Sequence, residues 1–224
     1  MRRLDQQDHD VVTAAVTAAE RASDGEIVTI VAGRSDAYHD VALHYAVLAM
    51  LLVPGLLALV PQGWIDRAAG LALGWNAEFS RGALMLAMFV LLVLAFLAVR
   101  LILAFMPLRM ALTPGRTKSR RVHRRAIELF RTGCELKTRG RTGVLIYLSL
   151  AEHRAEIVAD KAIADQVEPE VWGEAMAAMI DEVKAGRPGE GLAQAVGKVG
   201  AVLARIVPKT LDNPNELPDR LVEL

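Results

Sequence analysis

The chain has 224 residues, 53% of them hydrophobic and 5% aromatic, with 26 basic side chains against 26 acidic ones. That balance excludes nucleic-acid binding driven by bulk charge, and a single cysteine, Cys134, excludes an intramolecular disulfide framework and fits a reducing compartment. Met1–Asp10 places two arginines and then Asp5, Asp8, His9 and Asp10 where a secretion signal needs an unbroken apolar core, so residues 1–40 are expected to stay in the cytosol.

His9–Ala22 reads as a helix with Val12, Val16 and Ala19 on one face and Thr13, Thr17, Glu20 and Arg21 turned away. "SDG" ends it, and the strand Ile27–Val31 follows. One helix and one strand cannot bury enough apolar surface to offset the entropy of ordering them, so they must dock on a later part of the chain. Val41–Val60 and Gly82–Met106 then reach the length of a bilayer span, about 20 apolar residues at ~1.5 Å rise each. The first contains His44 and Pro54; the only charge of the second, Arg100, sits near its end, within reach of headgroups. Together they predict a transmembrane helical hairpin.

Arg109, Arg116, Lys118, Arg120, Arg121, Arg124, Arg125 and Arg131 follow the second span with Glu128 alone opposing them, whereas the loop between the spans has only Arg67 and Arg81. By the positive-inside tendency both termini and the soluble parts face the cytoplasm. Trp64, Trp75 and Phe79 then fall at the outer interface, and Ile65–Leu73 is either a short amphipathic surface turn or a plain connection.

Beyond the spans, Lys118–Arg131 has an apolar side of Val122, Ala126, Ile127, Leu129 and Phe130, with Gly133 as its stop. Val144–Leu148 is a continuous apolar run of strand length, covered on both faces, and "AEHR" turns it into the edge-type strand Arg154–Ala159. Pro169 opens a helix to Lys184 whose Trp172, Met176, Met179, Ile180 and Val183 face inward; "AGRPGEG" breaks the chain, and Leu192–Val207 is the last helix. The central strand needs a neighbour on each side, and its hairpin partner supplies one. Ile27–Val31 is expected to be the other, in parallel, with the Lys118–Arg131 helix as the return connection over one face of the sheet. The fold class is α/β, a small mixed sheet in an α/β/α sandwich, split by the inserted hairpin. The expected divisions are residues 1–37, 38–108, 109–208 and a tail at 209–224.

"AERASDGEIVTIVAGRSDAY", "FRTGCELKTRGRTGVLIYLSLAEHRAEIVADKAI" and "NPNELPD" resemble the bacterial membrane branch of the TPM-domain proteins. The resemblance implies the same sandwich and a label of phosphatase. It also implies relatives that bind divalent cations or serve as accessory subunits of membrane complexes. Well-known members face the lumen or periplasm; the basic flank here points to the cytosol.

Phosphoryl chemistry needs a phosphate cradle, a nucleophile or a metal cluster. The chain has no "GxxxxGK[ST]" loop, no Cys-x5-Arg loop and no His-Asp pair at a recognisable metal spacing. Asp24, Glu26, Glu152 and Asp160 stand at strand ends, where α/β sheets place ligands, and are the candidate ligands for Ca or Mg; turn formation, capping and solvation are the competing roles. Histidines 39, 44, 123 and 153 are too scattered for a shared site, and Cys134 reads as a small filler. Arg109, Arg116, Lys118, Arg120, Arg121, Arg124 and Arg125 form a basic patch for anionic lipid headgroups, without the interleaved aromatics of an RNA site. Ala193, Gly197 and Ala201, with Gly200, allow close approach either of a partner helix or of the domain's own layers. "NPNELPD" reads as a turn that docks the tail through Leu217 and Leu221. The leading reading is a membrane-anchored binding or scaffold protein of the bacterial inner membrane that assists the assembly or maintenance of membrane complexes. Its partners are the bilayer and a membrane protein or a second copy. The alternative is a divalent-cation-dependent phosphatase at the membrane surface.

Overall fold

The computed structural model describes residues 4–73, 80–135, 142–210 and 217–224. The chain divides into two units, one of residues 1–37 with 115–224 and one of residues 38–114. In the first, α1 (Gln6–Glu20) begins three residues before the periodic apolar pattern does, because Asp5 and Asp8 form a reciprocal capping box: Asp8 N donates to Asp5 Oδ1 at 2.9 Å and Asp5 N to Asp8 Oδ2 at 3.1 Å. β1 (Glu26–Ala32) follows, buried at every position.

The same unit resumes after the insertion with α6 (Gly115–Phe130), β2 (Gly143–Ser149), β3 (Arg154–Ala159), the short α7 (Lys161–Ala164), α8 (Pro169–Lys184), α9 (Pro188–Ile206) and β4 (Val222–Glu223). β1 pairs parallel with β2 over its whole length, Ile27 opposite Val144 and Val31 opposite Leu148, and β3 pairs antiparallel with β2. The expected sheet is therefore present, with one strand more: β4 pairs parallel with β1 and gives the order β3-β2-β1-β4.

Strand alternation sends side chains to two different cores. Val28, Ile30, Ala32, Leu145 and Tyr147 meet Val122, Ala126 and Phe130 of α6 on one face. Ile27, Val31, Val144, Ile146 and Leu148 meet Val12 and Val16 of α1, Met179 of α8 and Leu192, Val196, Val199 and Leu203 of α9 on the other. The result is an α/β/α sandwich. α9 starts at Pro188 instead of Leu192, since a proline at the first helical position is already set for the helix; the break before it narrows to Ala185, Gly186, at φ 83°, and Arg187. Among the small residues of α9, Gly200 packs on Ala19 of α1, while Gly197 and Ala201 are exposed.

The second unit contains α2 (His39–Ala58), α3 (Gln62–Leu73), α4 (Arg81–Ile102) and α5 (Met106–Leu112). α2 and α4 are long and apolar enough to cross a membrane, and they pack against each other. Ser80 caps α4 by accepting from Ala83 N at 3.2 Å. Trp64, on α3, is exposed, with Arg67 5.9 Å from its ring centroid. Trp75, Phe79, residues 213–216 of the "NPNELPD" turn and the side chain of Cys134 lie outside the described residues.

Candidate functional site

Parallel strands of an α/β sheet offer their carboxyl ends to ligands. Here the carboxyl ends of β1 and β2 carry a chain of hydroxyl groups. Ser149 donates to Glu152 Oε2, and Ser35 Oγ donates to Ser149 Oγ at 2.9 Å. With the Ser35 proton so used, the Tyr147 hydroxyl, 2.9 Å away, is left to donate to Ser35. Ser35 N closes the ring by donating to Glu152 Oε1 at 2.9 Å. Burial, with the Glu152 carboxylate nearby, raises the Tyr147 phenol above its ordinary value. The network binds the segment that leaves the sheet at residues 33–37 to the turn between β2 and β3. That segment precedes the second unit directly. Sequence reading missed Ser35, Tyr147 and Ser149 as a group, since nothing in their spacing announces that residues 112 and 114 positions apart will touch.

The four acidic candidates do not form one site. Glu152 belongs to this carboxyl end, whereas Asp24, Glu26 and Asp160 stand at the opposite end, one length of β2 away, about 20 Å at ~3.3 Å per residue. Each of the three accepts from the protein itself. Asp160 Oδ2 takes Gly143 N at 2.9 Å, Glu26 Oε2 takes Leu217 N at 3.1 Å, and Asp24 takes Thr210 N at 3.0 Å and Thr210 Oγ1 at 2.5 Å, with Lys209 at 3.8 Å. These bonds satisfy backbone donors at the strand starts and in the segment that follows α9. Among the described residues no group of three or more His, Cys, Asp or Glu side chains is arranged to hold a metal ion. The arrangement does not fit a shared Ca or Mg site.

The basic patch is corrected at one position. Arg109 is buried in the second unit, where its Nε donates to Leu103 O at 2.7 Å at the end of α4 and a terminal nitrogen lies 3.4 Å from His39 Nδ1. Its positive charge on a helix's carbonyl end is a C-cap. On α6, Arg116, Arg120, Arg124 and Arg125 are exposed and Lys118 half-buried. Arg121 reaches Asp36 at 3.0 Å, Arg124 reaches the same carboxylate at 3.5 Å, and Arg125 reaches Glu128 at 3.5 Å. The α6 face opposite the sheet is thus basic, a consequence of placing Val122, Ala126 and Phe130 on the buried stripe.

Glu20 is a second correction. It continues the buried stripe Val12–Val16 by another four residues, and its Oε1 accepts from Ile27 N at 2.8 Å. Burial, with Glu26 and Asp219 nearby, pushes its carboxyl up to about 8 despite the Ile27 bond. The four-residue spacing was the available signal; the acidic side chain hid it.

A family model described as the TPM domain matches residues 109–202, from the end of the second unit through most of α9. A TPM domain is present over that stretch. Among solved structures, the NMR structure of the BA42 protein from the psychrophilic bacterium Bizionia argentinensis is similar at a TM-score of 0.56 and 17% identity, covering 100% of this chain and 97% of that one. That likeness carries the fold. No curated protein matches the chain.

Proposed function

We propose that the chain is a membrane-anchored TPM-like binding or scaffold protein of a bacterial inner membrane, with both termini and the sandwich in the cytoplasm, and that it assists assembly or maintenance of membrane complexes. The observation that carries this reading is the use of the candidate metal-ligating acids: Asp24, Glu26 and Asp160 accept backbone donors, and Glu152 is held by Ser35 and Ser149 at the far end of the sheet. A phosphatase site needs such groups turned toward a substrate or a cation. What the sandwich turns outward is the basic face of α6, which begins at the residue where the chain re-enters it. That face suits the acidic surface of a membrane-protein partner, a second copy or anionic headgroups.

Two measurements test the proposal on the full chain in lipid nanodiscs and in native membranes. A generic phosphate ester with a Mg and Ca series should give no turnover above background. Photo-crosslinking from position 120 should give a discrete protein adduct. Turnover abolished by Asp160→Asn or Glu26→Gln, or the absence of any protein adduct, overturns it. Thiol labelling that puts the amino end and residues 217–224 outside the cell overturns the assigned orientation.

A further inference from the structure

We infer that β3 is a dimerisation edge: Arg154–Ala159 pairs antiparallel with the same strand of a second copy, about a two-fold axis at Ile157, and joins two sheets into one.

β3 ends the sheet on the side away from β4. Asp160 N donates to Gly143 O at 3.0 Å, which makes these two a hydrogen-bonded pair of the β2–β3 ladder. In an antiparallel ladder such pairs recur at every second residue, so Arg154, Glu156 and Val158 also turn their backbone groups to β2. Ala155, Ile157 and Ala159 therefore send their N–H and C=O groups away from the sheet, and no described strand lies there to receive them. β1 and β2 are buried at every position, whereas β3 is half-buried throughout, as a strand open to water on its outer edge is. Soluble proteins blunt such edges with lysine, proline or a bulge. β3 contains neither residue, and its register with β2 runs unbroken from Arg154 to Ala159. So regular an edge is a template for another strand.

Charge selects both the occupant and the register. Antiparallel self-pairing with the axis at Glu156 sets that carboxylate against its own copy, and an axis at Val158 sets it against Asp160; both juxtapose acids. With the axis at Ile157 the whole strand is used, Glu156 lies opposite Val158, and Arg154 of each copy lies opposite Asp160 of the other. Arg154 lacks an acceptor as the chain stands: its Nε is buried with no hydrogen-bond partner among the described residues. Asp160 gives Oδ2 to Gly143 N and keeps Oδ1 for a second donor. On the other face of the sheet Ile157 meets its own copy, with Ala155 opposite Ala159 on either side, so small side chains flank the axis and the backbones can close.

The test uses the full chain with Cys134→Ser, in detergent micelles and in native membranes. Sedimentation in micelles should show a reversible dimer. Added Ile157→Cys should give a disulfide-linked dimer on oxidation, because residues paired on the axis have Cα atoms about 5.5 Å apart, within disulfide reach. Ala155→Cys by itself should not link, its two copies being roughly 14 Å apart, yet it should link when mixed with Ala159→Cys. Ile157→Pro removes an outward donor while leaving the bonds to β2, and should give a monomer. If that variant fails to fold, Arg154→Glu serves instead: it sets like charges together at both ends and should weaken dimerisation roughly tenfold or more. A wild type that stays monomeric, a dimer indifferent to both substitutions, linkage of Ala155→Cys alone, or a disulfide from position 157 to a different protein in native membranes overturns the inference.

Discussion

Two glycines three residues apart on α9 should respond to the same substitution with opposite sign. A Cβ at Gly200 would lie 2.5 Å from Ala19 Cβ and 3.3 Å from Ala19 Cα, whereas a Cβ at Gly197 has nothing within 4 Å. Ala19 has no rotamer by which to retreat, so Gly200→Ala must push α1 from α9 by about 1 Å to restore an ordinary carbon contact of ~3.5 Å. Val12, Val16, Val196, Val199 and Leu203 line the same seam and lose part of their dispersion when it opens. Overpacking of this kind costs about 2–3 kcal/mol, and the helix-propensity gain of alanine over glycine returns about 1, leaving Gly200→Ala destabilised by ~1–2 kcal/mol. Gly197→Ala has only the gain and should be stabilised by up to about 1 kcal/mol. Urea unfolding of the full chain in micelles, followed by Trp172 fluorescence, reads both. If Gly200→Ala stabilises as much as Gly197→Ala, the α1–α9 packing described above is wrong.

Three more outcomes are expected. Thr29 Oγ1 is buried without a hydrogen-bond partner among the described residues, so Thr29→Val, of nearly the same shape, should raise stability by about 1 kcal/mol in thermal unfolding; a loss of that size would mean the hydroxyl is bonded. Because the folded carboxyl of Glu20 is raised from 4.5 to about 8, its contribution is full below pH 4.5, declines as pH rises through that window and levels off above it; unfolding free energies at pH 5, 7 and 9 should show a decline that Glu20→Gln removes. Asp160→Ala leaves Gly143 N unpaired at the start of the central strand and should cost about 1–3 kcal/mol, while Asp160→Asn, which still accepts, should cost much less; equal costs would point to a role for the charge itself.

Much of the architecture was legible in the chain because it rests on local periodicity. β3 and α8 lie within the expected bounds, Arg154–Ala159 and Pro169–Lys184, since one is a short alternating run after a turn and the other opens on a proline. The parallel pairing of β1 with β2 followed from an accounting argument: a strand apolar on both faces needs two neighbours, and an insertion that returns the chain to the sheet supplies the second. Boundaries slipped where a polar side chain set them, as Asp5 and Asp8 did for α1.

Tertiary structure alone decided the chemistry of the acidic residues. By type and position at strand ends Asp24, Glu26, Glu152 and Asp160 were interchangeable, yet the sheet puts Glu152 at the other end from the rest and gives each of the others a backbone donor. Charge assigned Arg109 to the headgroup patch and turned Glu20 away from the core, and both are buried because the carbonyl that caps the end of α4 and the amide of Ile27 needed partners. β4 was invisible because a two-residue strand has no pattern of its own; it exists only because the edge of β1 is there to receive it. Sequence determines which faces must be hidden, since burial of apolar surface repeats at fixed spacing. Which polar groups meet depends on distances between segments far apart in the chain, and those exist only once the layers have packed.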